Sequence, residues 1–398
     1  MKPVYVIDAV RTPVGKYAGT LAAMRPDDMA AHVIKEIIKR NPEIDVNEIE
    51  DVIFGAANQA GEDNRNVARM ALLLAGLPTT IGGNTVNRLC ASGLQSIMDA
   101  TKSIAVGMGD IYLAGGVESM SRAPFVMSKA EKAFASTPEI FDTTLGWRFT
   151  NPKLAEMYYP FVMGETAENV AEQWKISREE QDQFSYETQL KYENAHKAGK
   201  FKEEIVSVSL PQRKGDPIIF DKDEHPRLST VEVLGNLKPA FKKDGTVTAG
   251  NASGINDGAA VTIIASEEAV KKYNLKPMAK IVGMAVAGVD PSVMGIGPVP
   301  ATRKALQRAG LKIEDLGLVE LNEAFASQAI ACTRELGLNP DIINVNGGSI
   351  AIGHPLGASG TRISTTLLHE MLKRDVKYGL ATMCIGVGQG AAIIYEKC

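Results

Sequence analysis

The 398-residue chain has four cysteines, two tryptophans and only 6% aromatic residues, and its charges nearly cancel, with 43 Lys and Arg against 47 Asp and Glu. Each shortage excludes a class. The cysteines, at positions 90, 332, 384 and 398, form no CxxC pair and meet no HxxxH spacing. A disulfide framework and a structural zinc site are therefore excluded, and four reduced thiols with no metal are expected. A net charge of −4 with no basic run offers a polyanion nothing to grip, so no nucleic acid partner is expected. No apolar run approaches the ~18 residues of a membrane span. The opening Val4-Tyr5-Val6-Ile7 reads as a buried strand, not a signal or transit segment, and the end at Cys398 matches no sorting or prenylation signal. No membrane contact and a cytoplasmic location are the expectation. There is no GxxxxGK[ST] loop, and Gly386-Val387-Gly388-Gln389-Gly390 lacks the GxGxxG spacing, which excludes nucleotide triphosphate and nicotinamide dinucleotide motifs.

What the chain does have is 45% apolar residues arranged as alternating strands and helices. Strands are predicted at 4–7, 52–55, 85–86 and 111–116, with helices at 27–40, 67–75 and after Cys90. The alternation resumes with strands at 246–248, 259–264, 280–282, 318–321, 343–345 and 379–384 and helices at 301–309, 324–335 and 360–374. Such alternation predicts an α/β fold with parallel pairing and right-handed crossovers.

Between these regions the composition shifts. Residues 121–245 are richer in Met, Phe, Pro and charge, with helices predicted at 164–174 and 178–198. The second opens on Ser177 and Glu180 in capping-box spacing, and 213–228 reads as surface loop. An echo links the flanking parts: Ala91-Ser92-Gly93 and Ala358-Ser359-Gly360 each precede a helix and then a strand. The expected organisation is two similar α/β halves. Residues 1–120, completed by 246–275, make the first, 276–398 make the second, and 121–245 form an inserted loop domain over the active site.

Three residues carry the chemistry. Cys90, in Asn87-Arg88-Leu89-Cys90-Ala91-Ser92-Gly93, opens a helix, where free N–H groups and the helix dipole are expected to lower its thiol pKa and favour the nucleophilic thiolate. His354, between Gly353 and Pro355, is expected on a tight turn with its ring open to a cleft, positioned to take a thiol proton. Of the other histidines, His32, His196 and His369 fall on predicted polar helix faces and His225 in a charged loop. Cys384 precedes Gly386, Gly388 and Gly390, whose backbone leaves N–H groups free to bind an oxyanion. Asn322, after a predicted strand, reads either as a cleft amide or as a helix cap.

Together these segments resemble the thiolase family over essentially the whole chain. The matching blocks are Asn87–Gly93, Gly115–Ser121, Gly250–Ala260, Asn322–Phe325, Gly353–Gly357 and Cys384–Gly388. The resemblance implies a layered αβαβα thiolase fold and reversible cleavage of a 3-oxoacyl-CoA by CoA through a thioester on Cys90. It gives His354 the activation of Cys90 and Cys384 the α-carbon proton. It places one oxyanion site at His354 with a water held by Asn322, and another at the backbone N–H groups of Cys90 and Gly386. It implies no permanently bound cofactor, with coenzyme A or acetyl-CoA as cosubstrate lined by Ser253, Ala249, Met163, Phe241, Phe325 and Arg227. It also implies a homodimer or homotetramer.

Substrate range turns on one loop. Thiolases specialised for acetoacetyl-CoA carry His-Met-Gly where this chain has Val162-Met163-Gly164. Residues 57–69, 121–127 and 146–149 resemble the β-ketoadipyl-CoA thiolases of aromatic-acid breakdown, whose dicarboxylic substrate calls for a cation from Arg65, Arg69, Arg122 or Arg148. The alternatives are a biosynthetic acetoacetyl-CoA thiolase, a decarboxylating ketoacyl synthase and a noncatalytic acyl-CoA or lipid-binding protein on the same fold.

Overall fold

A computed structural model of the protein describes residues 2–130, 132–134 and 136–398. Ten strands form one mixed sheet. Nine make a continuous path: β1 (Val4–Arg11), β2 (Ile49–Gly55), β3 (Gly82–Val86), β4 (Ile111–Ser119), β5 (Asn256–Ser266), β6 (Ala279–Gly288), β7 (Leu318–Leu321), β8 (Tyr378–Ile385) and β9 (Gln389–Lys397). The tenth, Gly15–Lys16, pairs with β5. The path runs β7-β8-β9-β6-β1-β5-β4-β2-β3. It pinches at β1–β6, where only Tyr5 and Val6 find partners, Lys280 and Ala279.

On either side of that junction the two halves have the same order. In the first it is β3-β2-β4-β5-β1, and in the second β7-β8-β9-β6 with Ile343 bridged to Val319 beyond β7. Each half has parallel pairs in its β2–β4 or β7–β8 portion and antiparallel pairs where β5 and β9 return. The wholly parallel sheet expected from the alternation is thus corrected. A turn at 386–388 joins β8 to β9 as a hairpin, which allows antiparallel pairing without a crossover helix. The strand expected at 343–345 is only that bridge, because Asn344 adopts a φ of 44°. Residues 246–248 are also not a strand, since the Glu168 carboxylate takes the N–H groups of Thr246 and Val247 that a ladder would use.

The principal helices are α1 (Pro26–Arg40), α2 (Val67–Leu74), α3 (Ser92–Ala105), α4 (Met163–Gln173), α5 (Arg178–Lys197), α6 (Pro298–Ala309), α7 (Ala326–Leu336) and α8 (Leu356–Arg374). Strand alternation sorts the core into layers. Val52 and Phe54 of β2 face Ile34, Ile37 and Leu72 on one outer side. Ile53 faces a middle layer holding Leu94 and Ile97 of α3, Leu367 and Leu368 of α8, and Ile385 and Ile393 of the second half. Ile394 faces Ala305, Leu306 and Leu336 on the far side. Helices, sheet, helices, sheet and helices therefore stack in five layers, the αβαβα arrangement. Among the described residues, no helix is long and apolar enough to cross a membrane.

The middle layer depends on a backbone crossing. A Cβ at Gly360 would fall 2.2 Å from the Leu94 nitrogen, and one at Gly93 2.7 Å from the Gly357 oxygen. Thr361 Oγ1 donates to the Gly93 carbonyl at 3.0 Å. These two glycines are the last residues of the repeated Ala-Ser-Gly. The buried Glu118 carboxylate at the end of β4 adds a tie, accepting N–H bonds from Ala57 at 2.9 Å, Asn58 at 3.1 Å and Gly357 at 2.8 Å.

Residues 120–255, between β4 and β5, carry the hairpins Phe125–Met127 with Ile140–Asp142 and Val208–Leu210 with Ile218–Phe220, together with α4 and α5. Helix α5 opens on the capping box of Ser177 and Glu180. The 213–228 segment is more than surface loop: Ile218–Phe220 is a strand, and Asp223 and His225 are buried. Asp223 receives the buried Arg11 guanidinium at 2.7 and 3.1 Å.

Gly360→Ala should destabilise the fold by about 2–3 kcal/mol, because the added methyl meets backbone that cannot yield. Gly235→Ala, where a Cβ meets nothing within 4 Å, should leave the thermal midpoint nearly unchanged. Equal midpoints for the two variants would contradict the crossing.

Candidate active site

Cys90 lies two residues before the start of α3 and lines a cleft of about 410 Å³. Leu89, Met120, Thr143, Trp147, Arg148, Val162, Met163, Leu356 and Gly386 line the same cleft. Leu89 and Val387, with φ of 47° and 62°, are held in the left-handed region on either side of the thiol's surroundings. The backbone N–H groups of Gly386 and of Cys90 itself favour the thiolate form of the Cys90 sulfur. A Cβ at Gly386 would lie 3.3 Å from Leu89, so the two strained turns pack against each other.

The electrostatics differ from the sequence expectation. Burial pushes the Cys90 thiol up to about 11, against the two N–H groups that lower it. Desolvation of the thiolate outweighs the helix terminus. Cys384, buried at the end of β8, is pushed well above its ordinary value by burial, with the Cys90 sulfur the next contributor. Both thiols rest protonated.

His354 is buried rather than open to a cleft. Gly353 before it adopts a φ of 112°, the turn expected there, and the His354 N–H is fixed on Asn256 Oδ1 at 2.9 Å. Its Nδ1 meets Ser359 Oγ at 2.6 Å, and that hydroxyl also donates to the Pro355 carbonyl at 2.8 Å. Having one proton, Ser359 accepts from Nδ1–H, which leaves Nε2 as the basic nitrogen. Nε2 is buried without a hydrogen-bond partner among the described residues. Burial, with the Arg362 charge adding to it, pushes the imidazole down to about 3. His354 is therefore neutral at rest.

Asn322 does not cap a helix, since α7 starts at Ala326 with Phe325 as its N-cap. Its Oδ1 accepts from Ser349 Oγ at 2.6 Å, and Ser349 is in turn held by Arg362 at 2.6 Å. This orientation leaves the buried Asn322 Nδ2, like His354 Nε2, without a partner. Ser349, Ser359 and Arg362, missed by sequence reasoning, orient the two groups. Their only sequence signal was proximity to the Gly353–Gly357 block. The other histidines are less polar in setting than expected: His225 and His369 are buried, and burial lowers His225 to about 4.

The residues nominated for CoA fall in two places. Met163, Phe325 and Cys384 share one apolar cluster, with Phe241 edge-on to Phe325 at 6.3 Å between centroids. The Ser253 N–H bonds the Ala324 carbonyl at 3.0 Å beside it. Arg227 and Ala249 instead line a second cleft of about 360 Å³ with Tyr186, Gln189 and Leu234, and the Arg227 guanidinium donates to the Ala249 carbonyl at 2.5 Å. Among the described residues, no group of three His, Cys, Asp or Glu side chains is arranged to hold a metal ion.

A thiol, a neutral imidazole and a second protonated thiol beside free backbone N–H groups describe an acyl-transfer site. The model of the thiolase N-terminal domain matches residues 4–268, and that of the thiolase C-terminal domain matches residues 275–397. The chain belongs to the thiolase family of acyltransferases. It is 56% identical to a β-ketoadipyl-CoA thiolase of Acinetobacter baylyi, and 54% identical to the 3-oxoadipyl-CoA/3-oxo-5,6-dehydrosuberyl-CoA thiolase of Escherichia coli K12, each over 100% of both chains. The structure of Bacillus anthracis acetyl-CoA acetyltransferase superposes with a TM-score of 0.94 at 42% identity, covering 100% of this chain and 99% of that one. Human mitochondrial 3-ketoacyl-CoA thiolase in complex with CoA gives 0.93 at 42% identity, covering 100% and 98%.

The rate of Cys90 alkylation by iodoacetamide, followed by peptide mass mapping, should climb with pH towards about 11, because only the thiolate reacts. A plateau near neutrality would mean that a thiolate–imidazolium pair exists at rest.

Proposed function

We propose that the protein thiolyses 3-oxoadipyl-CoA to acetyl-CoA and a shortened acyl-CoA, with Cys90 as nucleophile, His354 as its base and Cys384 as the α-carbon acid. The observation that carries this reading is that Cys90 lines the cleft together with Gly386, with the buried Cys384 two residues before that glycine. In the first half-reaction Cys90 passes its proton to His354 Nε2 as its sulfur bonds to the 3-oxo carbon. The bond between C2 and C3 then breaks, and Cys384 protonates C2 to release acetyl-CoA. Once acetyl-CoA has left, the Cys384 thiolate regains its proton from His354, and in the second half-reaction CoA gives its thiol proton to the neutral His354 and attacks the Cys90 thioester. Cys90 leaves with the proton held by His354.

The neutral resting pair suits this sequence, since charge develops only while the bond forms. His354 becomes an N–H donor on taking the proton, and with a water on Asn322 Nδ2 it is placed in one oxyanion site. The Cys90 and Gly386 N–H groups make the other.

Ser253, Ala249, Met163, Phe241, Phe325 and Arg227 are assigned to CoA, Arg227 and Ala249 at the outer cleft and Met163 and Phe325 near the thiols. Residues 121–245 are assigned to a loop domain over the site, between the halves 1–120 with 246–275 and 276–398. A homodimer or homotetramer fits the half-exposed edge strand β3 and the exposed Phe125, Met127 and Ile140 of the first hairpin.

The substrate is supported by the relatives' names and by Val162, which lines the cleft where acetoacetyl-specific thiolases carry histidine. A panel of acetoacetyl-CoA, a medium-chain 3-oxoacyl-CoA and 3-oxoadipyl-CoA, compared by kcat/KM, tests it. The highest value is expected for 3-oxoadipyl-CoA. A preference for acetoacetyl-CoA would favour the biosynthetic alternative, and binding without thiolysis would favour a noncatalytic protein.

A further inference from the structure

A dicarboxylic substrate carries a charge that the cleft must meet, and Arg65, Arg69, Arg122 and Arg148 are the candidates for it. Arg69 is spent on the Ile81 and Thr79 carbonyls, holding the first turn of α2 to the loop that leads into β3. Arg122 is spent on Glu62, at 2.5 and 2.6 Å. Arg65 is exposed and lies outside the cleft lining. Arg148 alone of the four lines the cleft that holds Cys90, and it has no carboxylate partner among the described residues.

Its backbone is anchored on both sides. Thr143 is gripped by the buried Asn58 amide at 2.8 Å and donates to the Pro124 carbonyl at 2.6 Å. The Trp147 indole donates to the Phe161 carbonyl at 3.0 Å, and Phe149 packs edge-on against Phe141 at 4.9 Å between centroids. The arginine thus stands between two fixed aromatic neighbours. The carboxylate in the lining, Glu118, has both oxygens engaged by backbone N–H groups and does not compete for it.

We propose that the Arg148 guanidinium binds the terminal carboxylate of the acyl chain and sets the preference for dicarboxylic 3-oxoacyl-CoA substrates. This rests on the reading that Cys90 carries that acyl chain. The guanidinium fork suits a carboxylate because it donates two parallel hydrogen bonds, which a lysine cannot reproduce.

The test is the ratio of kcat/KM for 3-oxoadipyl-CoA to that for 3-oxohexanoyl-CoA, its neutral counterpart of equal length, in the wild-type protein, Arg148→Leu and Arg148→Lys. Arg148→Leu should lower the ratio about ten- to hundredfold, the weight of a charge-assisted hydrogen bond, mainly through KM for the dicarboxylic substrate. Arg148→Lys should retain part of it. Equal loss on both substrates, or an unchanged ratio, would overturn the assignment. A wild-type ratio near one with active thiolysis overturns it while leaving the Cys90 chemistry standing. Absence of thiolysis on every substrate overturns the proposed function itself.

Discussion

The contact on which the rest of the structure depends is the crossing of α3 and α8 at Gly93 and Gly360. Backbone touches backbone there, so the two central helices are fixed in depth and rotation by atoms that cannot adjust as side chains do. Each helix belongs to a different half, and each fills the space between the two portions of the sheet. Cys90 lies just ahead of one helix and His354 just ahead of the other. Aligning the helices therefore aligns the chemistry. Glu118 reinforces the alignment by binding N–H groups from both halves with one carboxylate.

Dryness is the second consequence of that packing. Cys384 and His354, buried between the halves, and the half-buried Cys90 all favour their uncharged forms. A helix N-terminus stabilises a nearby anion by about 0.3–1 kcal/mol in exposed settings, and burial acts against it more strongly here. The site does not store a thiolate. In the proposed reaction its donors, the Gly386 N–H among them, meet the charge as it forms, and such preoriented donors are worth most where water is absent. Ser359 and Ser349 complete the arrangement by fixing the imidazole tautomer and the Asn322 amide.

Much of this was legible in the residues. The Ala-Ser-Gly echo disclosed the duplication, and the strands and helices around it fall close to their predicted places because apolar periodicity reports which face is buried. Strand direction was not legible: the short turn after Cys384 permits a hairpin, and alternation alone cannot reveal one. Burial of His354 was hidden because small residues around a histidine suit a tight interior packing as well as an open turn. The Cys90 expectation failed because sequence shows the helix start but not the solvent excluded from it. The arginines were indistinguishable by type, and the fold separates Arg148, which lines the cleft and has no carboxylate partner among the described residues, from Arg122, which is held by Glu62. Ser349 and Arg362 lie near the Gly353–Gly357 block, but that proximity does not disclose the hydrogen bonds through which they orient Asn322.

The central claim is a division of labour between two thiols, one carrying the acyl group and the other moving a carbon-bound proton. It is tested most directly by exposing Cys384→Ala to acetyl-CoA and measuring acetylation of Cys90 by peptide mass mapping beside steady-state turnover. Acetyl transfer to Cys90 requires no proton at the α-carbon, so the account predicts acetylated Cys90 together with loss of both thiolysis and condensation. A variant that still turns over, or one in which Cys90 is never acetylated, would contradict it.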